Sequence, residues 1–367
     1  MTNEFVYCPI IKGKANDIKA VAFVSPSVAA YIKPLYELPP FKPTDEPEAI
    51  LGKFANRLRK LTGDRRCYVD FPLLRPGARG ANGDSALSIA YGQLNMLGVR
   101  FDPVYGFDRD ESLWGLVIQQ ANRSGGLMLR LDSDDLEFPQ DTILQITELA
   151  ARGLNLGSLD IMIDHRALTD QVATVAAASS TADFIDTLYR ATRIRRVVIA
   201  GSSAPKTVTA VERDSCAAIP RQELDLWAHV ASERLPLQPI YADYGVIHPD
   251  FSDLTMATHI NGKIRYTAGG HIHIHRGHSL RQQDKFGQYR VLADNVRRSP
   301  YYKGSAYSYG DRYIYECATG HAGTGNPGTW VLVDQNHHVT LTALQFQRLS
   351  LLAAQGSSAQ ALIEQVI

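Results

Sequence analysis

Charged side chains stand at the ends of several apolar segments of this 367-residue chain. Lys12 and Lys14 follow the first segment, and Glu37 and Asp70 end the second and third. At or just after the ends of later apolar segments lie Arg130, Asp132, Asp164, Asp243 and Tyr244. Carboxylates are the ligands that hard divalent cations such as Mg²⁺ prefer, and Lys and Arg bind anionic groups such as phosphate. The set therefore predicts chemistry on an anionic ligand.

Residue type suggests a role for each of these side chains. Glu37 and Asp70 are the expected metal ligands, with a divalent cation such as Mg²⁺ as the expected cofactor. For metal-assisted hydrolysis or transfer on a phosphorylated or nucleotide-like ligand, the expected catalytic residues are Asp132, Asp164 and Asp243. The expected substrate-binding residues are Lys12, Lys14, Arg130, Tyr244 and Arg276. A carboxylate pair acting as acid and base on a sugar is the alternative, and neither spacing nor chain order decides between the two.

A structural role competes with catalysis for the same residues. Charges inside a protein are costly unless they are paired. Carboxylates and cations gathered in one place therefore form either a functional site or a salt-bridge network. The enzyme hypothesis predicts a deep polar cleft, whereas a binding role predicts that the carboxylates are fully paired with Arg and Lys.

Eight short apolar segments, separated by segments with helical periodicity, must position these side chains. Near-continuous apolar strands that alternate with amphipathic helices indicate a parallel sheet covered on both faces. Eight strand–helix units within about 250 residues predict a (β/α)8 barrel, in which reactive groups gather at the carboxyl ends of the strands. An open doubly wound sheet is the alternative. The predicted strands are Val6–Ile11, Pro34–Leu38, Cys67–Phe71, Pro103–Gly106, Leu127–Asp132, Leu159–Asp164, Arg196–Gly201 and Pro239–Asp243.

The pattern changes after the eighth predicted strand. Residues 262–276 predict a β-hairpin inserted in the barrel, and a helix over Gln288–Arg298 is expected to close the ring. From Tyr301 onward a Tyr- and Gly-rich pattern predicts a small β-rich appendage, which ends in a helix over Ala343–Val366. We therefore expect a barrel domain over residues 1–300 and a C-terminal segment over residues 301–367 packed on it.

Histidines are concentrated in this later region. His271, His273 and His275 alternate along one predicted strand and span about 13 Å, which is too wide for three ligands of one Zn²⁺. We therefore expect them on an exposed face of the hairpin. His337 and His338 follow a turn-like sequence and are expected in a hairpin turn.

Two arginine pairs raise the question of nucleic-acid binding. Arg65-Arg66 and Arg195-Arg196 each end a predicted helix, where cations complement the negative end of the helix dipole. Lys plus Arg and Asp plus Glu both number 38, so the chain has no basic excess for holding duplex DNA. We therefore interpret the pairs as helix-terminal cations.

Cysteine usage and the N-terminus bear on location. The four cysteines form no CxxC pair, which favours a reducing compartment over a disulfide framework. The printed N-terminus lacks the basic and apolar regions of a signal peptide, and no apolar run approaches the roughly 20 residues that span a bilayer. We expect a cytoplasmic protein without membrane partners.

The chain also carries an ordered set of short motifs. They resemble the beta protein family, which was named after a tailed-phage protein and is widespread in bacteria. The resemblance covers about Tyr7 to Leu349. It implies a setting in phage–host conflict and implies no role for individual residues. The motifs are Tyr7–Lys14, Pro34–Glu37, Tyr241–Gly245, His248-Pro249, Ile264–Tyr266, Arg276-Gly277, Ser308–Asp311, Gly325–Pro327 with Trp330, and Asn336–His338.

Taken together, these features predict a barrel enzyme acting on a phosphorylated or nucleotide-like ligand in a phage-defence or phage-encoded setting. The alternatives are a non-catalytic barrel that senses a ligand or binds a protein partner, and a phage accessory protein. The expected partner is thus a small anionic ligand or another protein.

Overall fold

Eight parallel strands close into a barrel in the part of the chain that the computed structural model describes, residues 5–41, 45–233, 235–251, 260–282 and 284–354. A smaller antiparallel sheet stands beside it, formed by β8 (Ser215–Pro220), β10 (Asn261–Ala268) and β11 (His271–Ser279). The predicted (β/α)8 barrel is confirmed. In order around the barrel the strands are β1 (Tyr7–Lys12), β2 (Leu35–Glu37), β3 (Cys67–Asp70), β4 (Phe101–Tyr105), β5 (Leu127–Leu131), β6 (Leu159–Ala167), β7 (Arg196–Ser202) and β9 (Ile240–Asp243).

Side chains along each barrel strand alternate between the interior and the surrounding helices, because successive residues of a strand point to opposite faces. On β5, Met128 packs in the interior, whereas Leu127 and Leu129 pack toward the helices. The interior is a filled core. Its buried side chains are Phe5, Cys8, Ile10, Leu35, Tyr68, Val104, Met128, Met162, Val198, Ala200, Ala242 and Tyr244.

Helices follow most of the barrel strands and bury their apolar faces against them. None of the helices in the described ranges is long and apolar enough to cross a lipid bilayer. Their ranges are α1 (Ala15–Ala22), α2 (Pro26–Ala29), α3 (Pro47–Thr62), α4 (Ala86–Met96), α5 (Trp114–Ser124), α6 (Ser133–Glu137), α7 (Pro139–Ala151), α8 (Gln171–Ala191), α9 (Gln222–Ser232), α10 (Gln288–Arg298), α11 (Tyr309–Thr319) and α12 (Pro327–Ala354).

The predicted hairpin over residues 262–276 is confirmed, since β10 and β11 pair in antiparallel register. The sequence did not predict its third strand, β8, whose residues alternate between half-buried and exposed positions and so lack a long apolar run. Ile272 and Ile274 of β11 pack with Val208, Val211 and Val246 on one face of this sheet.

The predicted β-rich appendage is wrong, because the elements formed by the described residues after 301 are the helices α11 and α12. The predicted helix over Ala343–Val366 is confirmed as far as Ala354, where the described residues end, since α12 contains this part. The apolar run that begins at Trp330 belongs to α12. Residues 332–343 of α12 are buried without interruption, so this part of the helix lacks the periodic polar face that marks a helix in sequence. His337 and His338 lie fully buried in the middle of α12 and not in a turn.

α12 also corrects the prediction of how the ring of helices closes. Val339, Ala343 and Phe346 pack in the core between the barrel and its helices, together with residues of α9 and β9. α10, which was expected to close the ring, packs instead with α11 against the smaller sheet. α12 therefore contacts both parts of the molecule, and the division of the chain at residue 300 stays a prediction.

Phe346 provides a test of the packing of α12. Its ring stacks on Tyr241 with centroids 4.4 Å apart and meets Trp227 edge-on at 4.8 Å. We expect Phe346→Ala to lower the free energy of unfolding by about 3–5 kcal/mol in a urea titration, since it opens a cavity in the core. Leu351→Ala, on the same helix but 57% exposed, is the control and should change it by less than about 0.5 kcal/mol. Equal effects would contradict this account of α12.

Candidate functional site

One guanidinium stands at the centre of the carboxyl end of the barrel. Arg130 donates from Nη1 to Oε1 of Glu37 at 2.7 Å and to Oδ2 of Asp70 at 2.6 Å. It donates from Nη2 to Oδ2 of Asp164 at 2.6 Å. All four side chains are buried. Four predicted site residues from four strands thus form one cluster, which we call the mouth network.

Strand alternation brings these side chains together. Each lies two residues beyond a side chain of the filled interior and therefore points into the same space, one layer higher. The carboxyl ends of parallel strands meet at one end of a barrel, so the residues share a single mouth. The pairs of interior and mouth residues are Ile10 and Lys12, Leu35 and Glu37, Tyr68 and Asp70, Met128 and Arg130, and Met162 and Asp164.

Lys12 extends the network and is covered by a loop. Its ammonium donates to Oε2 of Glu37 at 2.5 Å and to the carbonyl of Pro249, and it lies 4.1 Å from the ring centroid of Phe251. Burial lowers the pKa of Lys12, and the carboxylate of Glu37 opposes that shift. Lys14 flanks the same ring at 5.9 Å and makes a looser contact.

Tyr244 and Arg109 complete the network. The hydroxyl of Tyr244 donates to Oδ2 of Asp164 at 2.5 Å and accepts from Arg130 Nη2 at the same distance. Arg109, which the sequence did not single out, donates to Oδ1 of Asp70 at 2.8 Å. Arg109 lies shortly after the end of β4. Inspection of the residues that follow each strand, which identified the other members of the network, would therefore also have identified Arg109.

The charges of the mouth network balance. Burial alone would raise the pKa of Asp70, but Arg109 and Arg130 outweigh it and hold this pKa below its usual range. Arg130 and Tyr244 likewise outweigh burial at Asp164 and lower its pKa.

A small cavity of about 150 Å³ lies beside Arg109, between the loops that follow β3 and β4.

The predicted metal ligands lie within this network. Both oxygens of Glu37 and both of Asp70 accept hydrogen bonds from cationic side chains. Across the residues that the structure describes, no three His, Cys, Asp or Glu side chains are arranged to hold a metal ion. A divalent cation at these two residues stays a prediction that would require displacing their cationic partners.

Asp243 does not join the mouth network. It lies two residues after Tyr241, which packs toward the helices, so its side chain leaves the interior. Its carboxylate accepts from the hydroxyl of Tyr7 at 2.5 Å, lies 2.9 Å from Nε2 of His338 and is 3.4 Å from Nη2 of Arg221. Burial would raise the pKa of Asp243, but His338 and Arg221 outweigh it and lower the pKa. Its prediction as a mouth residue is wrong, because Asp243 shares the outward face of β9 with Tyr241, whereas Ala242 faces the interior.

Two further predicted residues also have other partners. Asp132 caps α6, where its carboxylate accepts from the backbone N–H of Asp134 at 3.0 Å and of Asp135 at 3.4 Å. Arg276 lies on β11 of the smaller sheet and donates to the carbonyls of Thr209 and Val211. A catalytic role for Asp132 and a substrate-binding role for Arg276 stay predictions.

A larger cavity lies at the opposite end of the barrel, where the strands begin. Its volume is about 500 Å³, and we call it the amino-end cavity. Both arginine pairs that were interpreted as helix-terminal cations line it. Each pair directly precedes or begins a strand. Because the amino ends of parallel strands meet at one end of a barrel, this shared position was the signal in the sequence that could have placed the two pairs together. The cationic side chains of its lining are Lys33, Arg65, Arg66, Arg100, Arg195 and Arg196.

Two buried carboxylates form ion pairs with several of these cations. Asp102 accepts from Lys33 Nζ at 2.6 Å and from Arg66 Nη2 at 2.7 Å. Asp160 accepts from Arg195 Nη2 at 2.6 Å and from the hydroxyl of Tyr68 at 2.5 Å. Both carboxylates are fully buried, so the barrel carries an ionic network at each end.

A family model for the beta protein matches residues 7–343, nearly the whole chain. The chain belongs to the beta protein family. This confirms the resemblance carried by the sequence motifs. A search among curated proteins finds no match for this beta protein family member.

Solved structures that share the barrel are distant in sequence. A type I 3-dehydroquinate dehydratase from Clostridium difficile with covalent modified comenic acid is 9% identical, with a TM-score of 0.39 over 67% of this chain and 87% of that chain. An alanine racemase from Clostridium difficile 630 in complex with cycloserine is 13% identical, with a TM-score of 0.29 over 73% of this chain and 61% of that chain. These values carry no inference about the activity of the beta protein family member.

The mouth network predicts a pH-dependent stability. We expect Asp70→Asn to lower the free energy of unfolding at pH 7 by about 3–5 kcal/mol, because Arg130 and Arg109 lose a buried anionic partner. The native pKa of Asp70 is lowered, so its stabilising contribution is complete above the unfolded value of about 4 and is lost as pH falls through the native value. The difference between wild type and variant should therefore shrink in urea titrations below about pH 4.

The matched control for this prediction is Asp108→Asn. Asp108 also pairs with Arg109, but its side chain is 58% exposed, so we expect a change below about 1 kcal/mol. An Asp70→Asn protein as stable as wild type at pH 7 would contradict a structural role for the network.

Proposed function

We propose that this beta protein family member is a non-catalytic ligand-binding barrel whose mouth network is structural. One observation supports the proposal: all six carboxylate oxygens of Glu37, Asp70 and Asp164 accept hydrogen bonds. Oδ1 of Asp164 accepts from the backbone N–H of Arg166 at 2.9 Å, and side-chain donors reach the other five. Full pairing is what the binding hypothesis predicts from the sequence.

Catalysis by these carboxylates would need a different arrangement. A general base must reach the proton that it abstracts, and a metal ligand must offer a free lone pair. Here each carboxylate is buried and pairs with a cation. Burial lowers the pKa of Arg130, but Tyr244 and the three carboxylates outweigh it and raise this pKa well above its usual range, so the guanidinium stays charged. The metal-dependent hydrolase that the sequence favoured gains no support from this geometry.

The ligand belongs to the class predicted from the sequence, a phosphorylated or nucleotide-like molecule. The amino-end cavity supports this class, because six cationic side chains line it and cations of this kind bind phosphate. Its volume also lies within the range of about 300–1,000 Å³ that is typical of small-molecule pockets. A sensing role in phage–host conflict is the setting that the family resemblance implies. Binding of a protein partner is the alternative.

A panel assay separates binding from turnover. The purified protein is incubated with Mg²⁺ and a set of nucleotides and sugar phosphates, and both its melting temperature and the products are measured. We expect at least one phosphorylated compound to raise the melting temperature, because a ligand that binds only the folded state stabilises it. We expect no product above the rate without protein.

Arg123→Gln serves as the control, because Arg123 is exposed on α5 and belongs neither to the mouth network nor to the lining of the amino-end cavity. The variant should bind the same compounds as wild type. Turnover of a panel member that Asp164→Asn abolishes would contradict the proposal, provided that the variant is folded. An absence of any thermal shift would contradict it in favour of a protein partner.

A further inference from the structure

The amino-end cavity has an unusual lining for its size. Six of its lining side chains are cationic, and among the described residues that line it none is a carboxylate. Lys33 is buried, and the side chains of Arg195 and Arg196 are 23% and 19% exposed. Cations held this close together in a cavity attract a multiply charged anion.

Buried carboxylates fix the positions of several of these cations. Asp102 pairs with Lys33 and Arg66, and Asp160 pairs with Arg195 and Arg196. Burial would raise the pKa of Asp102, but Lys33 and Arg66 outweigh it, so the carboxylate stays ionised. A site held rigid in this way loses little conformational freedom on binding.

Arg65 and Arg100 are the cations that neither buried carboxylate holds. Arg65 donates from Nε and Nη2 to the carbonyls of Thr62 and Leu61, both at 3.3 Å, at the end of α3. Arg100 is exposed and directly precedes β4. Both side chains line the cavity, and neither is a partner of Asp102 or Asp160, so their charges can be removed without unpairing a buried carboxylate.

We propose that the amino-end cavity binds a small molecule through a phosphate or diphosphate group. The guanidinium fork matches phosphate oxygens in pairs, and several forks around one cavity match an anion with several oxygens. The rest of the ligand packs on the apolar side of the lining, which includes Phe5, Ala29 and Ile32. The volume of about 500 Å³ fits a molecule the size of a mononucleotide or a sugar phosphate.

The cavity is suited to binding without covalent chemistry. Cys67 lines it, but burial raises the pKa of this thiol to about 12, so it stays protonated at neutral pH. Burial also raises the pKa of Tyr36. In barrels of this type the reacting groups stand at the carboxyl ends of the strands, and the amino-end cavity lies at the other end. The assignment rests on the proposed function, for which it names the ligand class and the site.

Calorimetric titration with inorganic pyrophosphate tests the assignment. We expect wild type to bind pyrophosphate, and the double variant Arg65→Gln, Arg100→Gln to bind it at least about tenfold more weakly, because each substitution removes a charge-assisted contact. Neither substitution removes a partner of Asp102 or Asp160, so the melting temperature without ligand should stay near that of wild type. Arg123→Gln, an exposed arginine on α5 outside the cavity, is the matched control and should bind as wild type does.

Three results would overturn the assignment. The first is that wild type shows no heat of binding, and the second is that the double variant binds pyrophosphate as tightly as wild type. The third is that sulfate at equal ionic strength competes as well as pyrophosphate does, because such competition indicates a general anion site. Turnover of a compound at the mouth would contradict the proposed non-catalytic function but not the cavity assignment. The affinity of the cavity for pyrophosphate, and its loss in the double variant, are measured without reference to turnover.

Discussion

The structure depends on the pairing of Arg130 with three carboxylates at the carboxyl end of the barrel. These groups come from β2, β3, β5 and β6, and each is too deeply buried to be solvated by water. A buried charge without a partner costs several kcal/mol, so the four strands must keep the register that aligns the guanidinium with its partners. Lys12 and Arg109 extend the pairing to β1 and to the loop after β4. The network thus links consecutive strands around the mouth.

Both ends of the barrel contain ion pairs between cations and buried carboxylates, but the pairs are arranged differently at each end. At the carboxyl end, cations and carboxylates alternate in contact and neutralise one another. At the amino end, Asp102 and Asp160 lie behind the cations, which leaves arginines facing a cavity. The difference lies in the placement of the carboxylates relative to the cavity. A mouth whose buried carboxylates are paired and a cavity lined by cations are the two observations that support our proposal of a binding protein.

Much of this arrangement could be predicted from the sequence. The eight apolar segments gave the strands, and the rule that strand ends meet at one mouth brought together Lys12, Glu37, Asp70, Arg130 and Asp164. Asp243 was misplaced because a shift of one residue along a strand moves a side chain to the other face. The part of α12 before the predicted helix at Ala343 was missed because the polar run Asp334–His338 is buried in the helix and has no helical periodicity in the sequence. The arginine pairs were assigned to helix ends, since a cavity depends on packing that spacing alone does not contain.

A double-mutant cycle between Arg130 and Asp164 tests the central claim most directly. The free energy of unfolding is measured in urea at pH 7 for wild type, Arg130→Lys, Asp164→Asn and the double variant. Lysine keeps the charge but lacks the planar guanidinium fork, whose five N–H donors reach three carboxylates in fixed directions. If the network is structural, the double variant loses less stability than the sum of the single variants, by about 1–3 kcal/mol. Effects that add to within about 0.5 kcal/mol would contradict the account.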